Sequence, residues 1–430
     1  MNKRSKPSNQ ATAANGNVSD TNKSTELANP QYFWFPLLPA ALLMISICAA
    51  MRFYWEDLLR IWHTYPSDVW YIYDNYGWFL VNQKFFNIEY PAPMFVLFKV
   101  LAKAAALLPG TVPHKNGGTI FLYRNWLIVN SIFLGGCGIA SVWCTHQLNC
   151  RFLHLPPSKV LWGFVLTPAF LFFTIYNYDL VTILCCAAAL LCYMKGDFAG
   201  CGAWAGLGFA FKVYPGVLFP LLWLLMPAAK RLSALGAFIL PWAIINIPYM
   251  RFNFDIWKYP YVWQAEFDNS EQSGHLIYHL TQLIGKVPAL LVFALAIMAL
   301  LYAVWKRRPA SCASDGIWIM RCSLLLIAAF IMLKNVFSPQ YILWLTPFLA
   351  FTGGYPFYGA YTLTELMSGI EVTGLFYWQK HYPMLIPCCR LLRDLSIAAV
   401  WGWTFYLLCY RDYRRNASDN HQDAVTSANR

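Results

Sequence analysis

Runs such as FWFPLLPAALLMISICAAM at 33–51 and LLVFALAIMALLYAVW at 290–305 decide most of what this chain can become. With its flanks, each can carry a helix across about 30 Å of hydrocarbon. In lipid only helices and closed barrels satisfy every backbone group, and the alternation that barrel strands need is missing. Hydrophobic residues make up 58% of the chain and charged residues 12%. A soluble domain carries about a quarter charged residues. The expected fold class is therefore all-α, a polytopic membrane protein.

The net charge of +12 does not point to nucleic acid, because the basic residues punctuate the ends of apolar runs. They read as topology signals and as contacts to membrane lipids. Many of the thirteen cysteines, such as Cys185, Cys186 and Cys192, lie inside apolar runs without zinc-like spacing, and read as small hydrophobes. Residues 1–30, rich in Asn, Ser, Thr and Ala, read as a disordered cytoplasmic tail and not as a signal peptide. Residues 31–410 form the membrane-embedded domain, and 411–430 a basic cytoplasmic tail.

Lys3, Arg4, Lys6 and Lys23 place the tail in the cytoplasm and send a first span, about 33–53, outward. The clusters Arg151 with Lys159, Lys195, Lys230 with Arg231, Lys306 to Arg308 and Arg411 to Arg415 should then all be cytoplasmic. They are so only if 91–109 lies on the outer surface. That stretch carries Lys99 and Lys103 four apart on one helical face, a pattern suited to a surface helix. The spans become 119–142 inward, 160–176 outward, 179–194 inward, 199–211 outward and 214–229 inward. They continue with 232–250 outward, 285–305 inward, 316–333 outward and 338–353 inward. A weaker crossing at 361–379 and a clear one at 392–410 complete about 12 transmembrane helices, with both termini cytoplasmic.

On this threading Asp68, Glu89, Arg124, Asp179, Lys212, Arg251, Lys258, His275, His279 and Lys334 all emerge outside. Charges near hydrocarbon are costly unless paired or used, so their gathering points to one site on the external face. Asp68 is either a general base or the N-cap that follows Pro66-Ser67. Asp74 reads as a solvated interface residue. Glu89 can orient a sugar hydroxyl or a lysine, or simply meet water, while Pro91 and Pro93 fix the turn beside it. Asp179 either caps the helix LVTILCC or touches substrate, and the two roles can coexist. Lys212 and Lys334 each sit near a proline in an apolar setting, where they snorkel or hold a phosphate. Gln340 and Tyr341 open the span after Lys334. His275 and His279, four apart, can donate to a phosphate or hydroxyl; with no third ligand evident, no metal is expected.

The segments SDVWYIY, EYPAP, NYDL, GLGFAFKVYPG and KNVFSPQYILW, in that order over about 60–350, resemble the landmarks of glycosyltransferase family 87. These are polytopic enzymes of the GT-C fold that use polyprenyl-phosphate-linked sugars, mannosyltransferases among them. The resemblance implies that Asp68 is the catalytic base. It also implies that Asp179, Lys212 and the group Lys334, Ser338, Pro339, Gln340 and Tyr341 correspond to family motifs. The family's Tyr-Pro-Pro appears here as Tyr90-Pro91-Ala92, with the next proline displaced to Pro93.

The expectation is thus an inverting hexosyltransferase of the cell membrane. It would move a hexose or pentose, mannose foremost, from a polyprenyl-phosphate donor to a glycolipid or cell-envelope glycan acceptor. Asp68 would act as base. Asp179, Lys212, Lys334, Gln340, Tyr341, Glu89, Arg124, His275 and His279 would bind substrate. No cofactor is implied by this chemistry. The competing expectation is a multi-span transporter, which also uses buried charges and proline-broken helices; a lipid-linked acyl- or phosphotransferase ranks below it.

Overall fold

A computed structural model of the protein describes residues 30–60, 67–83, 86–114, 117–266, 283–306, 315–333, 338–352, 359, 361–368 and 384–408. The two expected tails, His275, His279, Lys334 and most of the expected crossing at 361–379 lie outside these residues.

The described chain is largely α-helical. After α1 (Pro30–Arg60) come two short helices, α2 (Asp68–Asn82) and α3 (Ala92–Ala106). A small hairpin follows, in which β1 (Thr111–Pro113) pairs antiparallel with β2 (Thr119–Phe121), Thr111 opposite Phe121. Then come α4 (Tyr123–Leu148), α5 (Pro168–Phe173), α6 (Asp179–Met194), α7 (Phe198–Phe211), α8 (Pro215–Leu225) and α9 (Ala228–Phe252). The chain continues through α10 (Phe254–Glu266), α11 (Lys286–Lys306), α12 (Gly316–Leu333), a 3-10 segment (Pro339–Trp344), α13 (Thr346–Thr352) and α14 (Leu385–Tyr406).

Among the described residues three helices are long and apolar enough to cross a membrane: Tyr123–Leu153, Ala228–Phe252 and Val287–Lys306. Leu37–Arg52, Asp179–Met194, Phe198–Phe211, Pro215–Leu225 and Gly316–Met332 are apolar but shorter. The expected span 160–176 is not one helix. Residues Leu161–Val165 form a π-turn, and Thr167 then caps α5, its hydroxyl accepting from Phe170 N at 3.2 Å. Pro168 at the first helical position explains the restart, since proline lacks the N–H that a continuing helix would need. The expected span 338–353 divides likewise into the 3-10 segment and α13.

The stretch 91–109, expected to lie on the outer surface, forms helix α3 over Ala92–Ala106. Its 15 residues extend about 22 Å at 1.5 Å each, short of the hydrocarbon thickness. Phe98, Leu101, Ala102 and Ala105 form a buried stripe at helical spacing, while Val96, Val100 and Lys103 are exposed.

Two devices fix the position of the site. The first is the α6–α7 hairpin. Gly196 takes φ +78 after α6, and Asp197 caps α7 by accepting from Gly200 N at 2.9 Å. The arms have 16 and 14 residues, so the chain leaving α7 returns beside the start of α6. The second is close packing of α7 on α9. A Cβ at Gly202 would lie 2.1 Å from the Ala234 carbonyl oxygen, and one at Gly206 would lie 1.9 Å from that of Phe238. Two glycines four apart thus let the backbones touch, as small residues do at helix contacts in membranes. On their outer faces α9 and α11 expose Leu240, Ile244, Ile247, Leu291, Leu295 and Met298. Such faces suit hydrocarbon.

Candidate active site

Asp68 opens α2, outside every apolar helix. The helix is capped by Ser67, whose side chain accepts from Trp70 N at 3.1 Å. The capping role considered for Asp68 therefore belongs to its neighbour, and the Asp68 carboxyl is left for other work. The first turn of α2 is tied on two sides. Trp126 of α4 donates its indole N–H to Val69 O at 2.6 Å, and Val69 N donates to Tyr176 O at 3.4 Å. The second tie joins Asp68's turn to the segment that leads into Asp179.

Asp179 is fully buried at the first position of α6. Asn177 holds it in a tight turn, with Nδ2 donating to Oδ2 at 2.6 Å and Oδ1 accepting from Asp179 N at 3.0 Å. Its other oxygen, Oδ1, forms an ion pair with Lys212. Lys212 lies just past α7, in an extended conformation that breaks the helix before Pro215 starts α8. Its ammonium is backed by the rings of Tyr341 at 5.7 Å and Trp344 at 5.8 Å, within cation–π range. Residues three apart eclipse in a 3-10 helix, so Tyr341 and Trp344 stand over each other, ring centroids 4.1 Å apart. Tyr214 stacks on Trp344 from the other side at 4.1 Å.

Asp68 lies within the field of this group. Burial pushes its carboxyl up; the Lys212 ammonium opposes that, Asp179 adds to it, a hydrogen bond from Tyr90 opposes it and Glu89 adds again. The balance lies at about 6. Glu89 is partly exposed and accepts from two phenols, Tyr71 at 2.8 Å and Tyr76 at 3.3 Å. Tyr71 sits three residues after Asp68, on the same face of α2. Burial and the charge of Glu89 push the Tyr76 hydroxyl up to about 12, which keeps it a donor at neutral pH.

The residues Asp68, Glu89, Asp179, Lys212 and Tyr341 are thus brought together. Gln340 is buried in the same 3-10 turn but, among the described residues, makes no hydrogen bond to Asp68 or Lys212. Arg124 is exposed beside Gly110 and is not among the groups acting chiefly on Asp68. Asp74 is exposed, as expected. Sequence reasoning placed Ser67, Tyr90, Asn177 and Trp344 within motifs but gave none of them a part in the site. The available signals were an Asn two residues before an Asp, the pattern of an Asx-turn, and the three-residue spacing of Tyr341 and Trp344 after Pro339.

The arrangement places the Asp68 carboxyl, pushed up to about 6, in the field of the Asp179–Lys212 ion pair. Among apolar helices, this defines a membrane-associated, largely helical protein with a cluster of ionisable side chains where the α6–α7 hairpin meets the start of α2. The chain belongs to glycosyltransferase family 87, whose description matches residues 89–339, more than half of its length. No curated protein matches the sequence. The matched region includes Glu89, Asp179 and Lys212; Asp68 precedes it, and joins the site through geometry.

Proposed function

We propose that this glycosyltransferase is an inverting enzyme that uses a polyprenyl-phosphate sugar and works at the external face of the cell membrane. It transfers a hexose or pentose, mannose foremost, to a hydroxyl of a glycolipid or cell-envelope glycan. The chain crosses the membrane about 12 times in a GT-C arrangement, its shorter apolar helices tilted or broken around the site. The supporting observation is the meeting of Asp68, held near pH 6, with the Asp179–Lys212 pair at one end of the α6–α7 hairpin.

The chemistry follows from the charges. The donor enters laterally from the outer leaflet and sets its phosphate against Lys212. An Asp68 oxygen takes the proton of the acceptor hydroxyl as that oxygen attacks the anomeric carbon. The bond from that carbon to the phosphate oxygen breaks, and its electron pair leaves with the polyprenyl phosphate. Lys212 meets the growing negative charge there. Attack opposite the phosphate inverts the anomeric centre, and phosphate leaves without much help from an acid. Glu89, braced by Tyr71 and Tyr76, accepts from a further hydroxyl of the acceptor.

The test uses purified full-length protein in lipid with a polyprenyl-phosphate sugar and candidate acceptors. Release of free polyprenyl phosphate is expected, and Asp68→Asn should abolish it while the protein stays folded. Full release by that variant would remove Asp68 as base. Sugar uptake by liposomes without any transfer would favour a transporter.

A further inference from the structure

The landmark NYDL includes Asn177 beside Asp179, but the family resemblance assigns no role to this residue that grips the aspartate. Asn177 is fully buried, and both polar atoms of its amide are spent on Asp179. Such a two-point grip fixes the plane of the carboxylate, with Oδ2 toward Asn177 and Oδ1 toward Lys212. The lysine needs this. It ends a flexible four-carbon stem on an extended stretch of backbone, and left to itself its ammonium would follow water. The ammonium has three N–H donors. One goes to Asp179, and the rings of Tyr341 and Trp344 close another side. What remains is a donor set with a definite direction.

We infer that Asn177 is a positioning residue that acts through Asp179 to aim Lys212 at the phosphate of the lipid donor. This rests on the reading of Lys212 as the phosphate contact. Asn suits the task because its amide offers a donor and an acceptor without charge. A second carboxylate there would compete with the phosphate for Lys212, and an apolar residue would leave Asp179 Oδ2 buried without its hydrogen bond. The titratable groups facing Asp179 are Lys212 from the end of α7, Tyr214 before α8, Asp68 from α2 and Tyr341 from the 3-10 segment.

The experiment measures binding of a polyprenyl phosphate, without sugar, to full-length protein in lipid across a pH series, always as a ratio to wild type. Asn177→Ala should weaken binding about tenfold or more at every pH, the loss expected for a hydrogen bond to a charged group. Asn177→Asp should behave differently. Two adjacent carboxyls keep one shared proton at acid pH, which restores the hydrogen bond, and lose it as pH rises. Binding by this variant should therefore approach wild type in acid and fall away in alkali. That reversible change occurs within one sample, so it cannot be mistaken for a misfolded protein. Lys212→Met must lose binding in the same assay. If it does and Asn177→Ala binds like wild type, or the Asn177→Asp ratio ignores pH, the positioning role is overturned. If Lys212→Met itself keeps full affinity, the phosphate reading falls and the inference with it.

Discussion

Asp68 carries a proton to higher pH than a free carboxyl would, and its neighbours say why. Burial favours the neutral form, and Asp179 and Glu89 add negative potential; Lys212 and the Tyr90 hydrogen bond favour the charged form. The fold thus favours the protonated acid, and the side chain costs stability as pH rises from 3.8 toward about 6. The form that is needed for catalysis is the less stable one. As base, Asp68 must be ionised, so transfer should fall about tenfold per pH unit below its pKa. Removing the charge of Glu89 removes one of the raising influences. Glu89→Gln should therefore move the acid limb of the pH–rate profile to lower pH, whatever it does to acceptor affinity. An unmoved or upward limb would mean that some other group than Asp68 titrates there. At this scale the sequence was legible where a charge stood alone among apolar residues, as Asp68, Asp179 and Lys212 do. Asn177, Ser67 and Tyr90 were not, because a neutral polar side chain acquires its meaning from the shape of a turn.

Helices and turns record a different kind of information. The Lys99 and Lys103 pattern in α3 carries an expectation that labelling tests. The break between α6 and α7 was readable from the two apolar runs, 179–194 and 199–211, on either side of Lys195. The interruption at 161–167 was not. Its residues LWGFVLT are as apolar as any span, and only Pro168 hinted at a restart. The glycines of α7 had a meaning that depends on a partner helix. Gly206→Ala would place a methyl group against the Phe238 carbonyl and should destabilise the protein by about 1–3 kcal/mol, as overpacking does. Gly236 offers the contrast, since nothing lies within 4 Å of a Cβ there. Gly236→Ala should stabilise by up to about 1 kcal/mol through helix propensity alone. Thermal unfolding of both variants in detergent reads the difference. Equal shifts of the same sign would mean that α7 and α9 do not approach backbone to backbone.

For the whole molecule, the decisive matter is which end of the bundle faces out. The site brings the start of α2, the start of α6 and the end of α7 together without reference to a membrane. The opposite end of the hairpin carries Lys195, and Lys230 begins α9. On the positive-inside rule that end is expected to be cytoplasmic, and the proposed orientation then has Asp68 and Lys212 outside. The assignment hangs on α3, because a helix that crossed there would reverse every later element. Both flanks of α3 should therefore lie on one side. Asn87 and Lys103 are exposed at its two ends, and Lys195 is exposed at the far turn. A cysteine at each position, in sealed vesicles of known orientation, can be offered a membrane-impermeant thiol reagent and read against the native thiols. Asn87→Cys and Lys103→Cys should label from the external side, and Lys195→Cys only after the vesicles are opened. Labelling of the two α3 positions from opposite sides would make α3 a span, reverse every later element and put Lys212 on the other side of the membrane from Asp68, which would break the shared site.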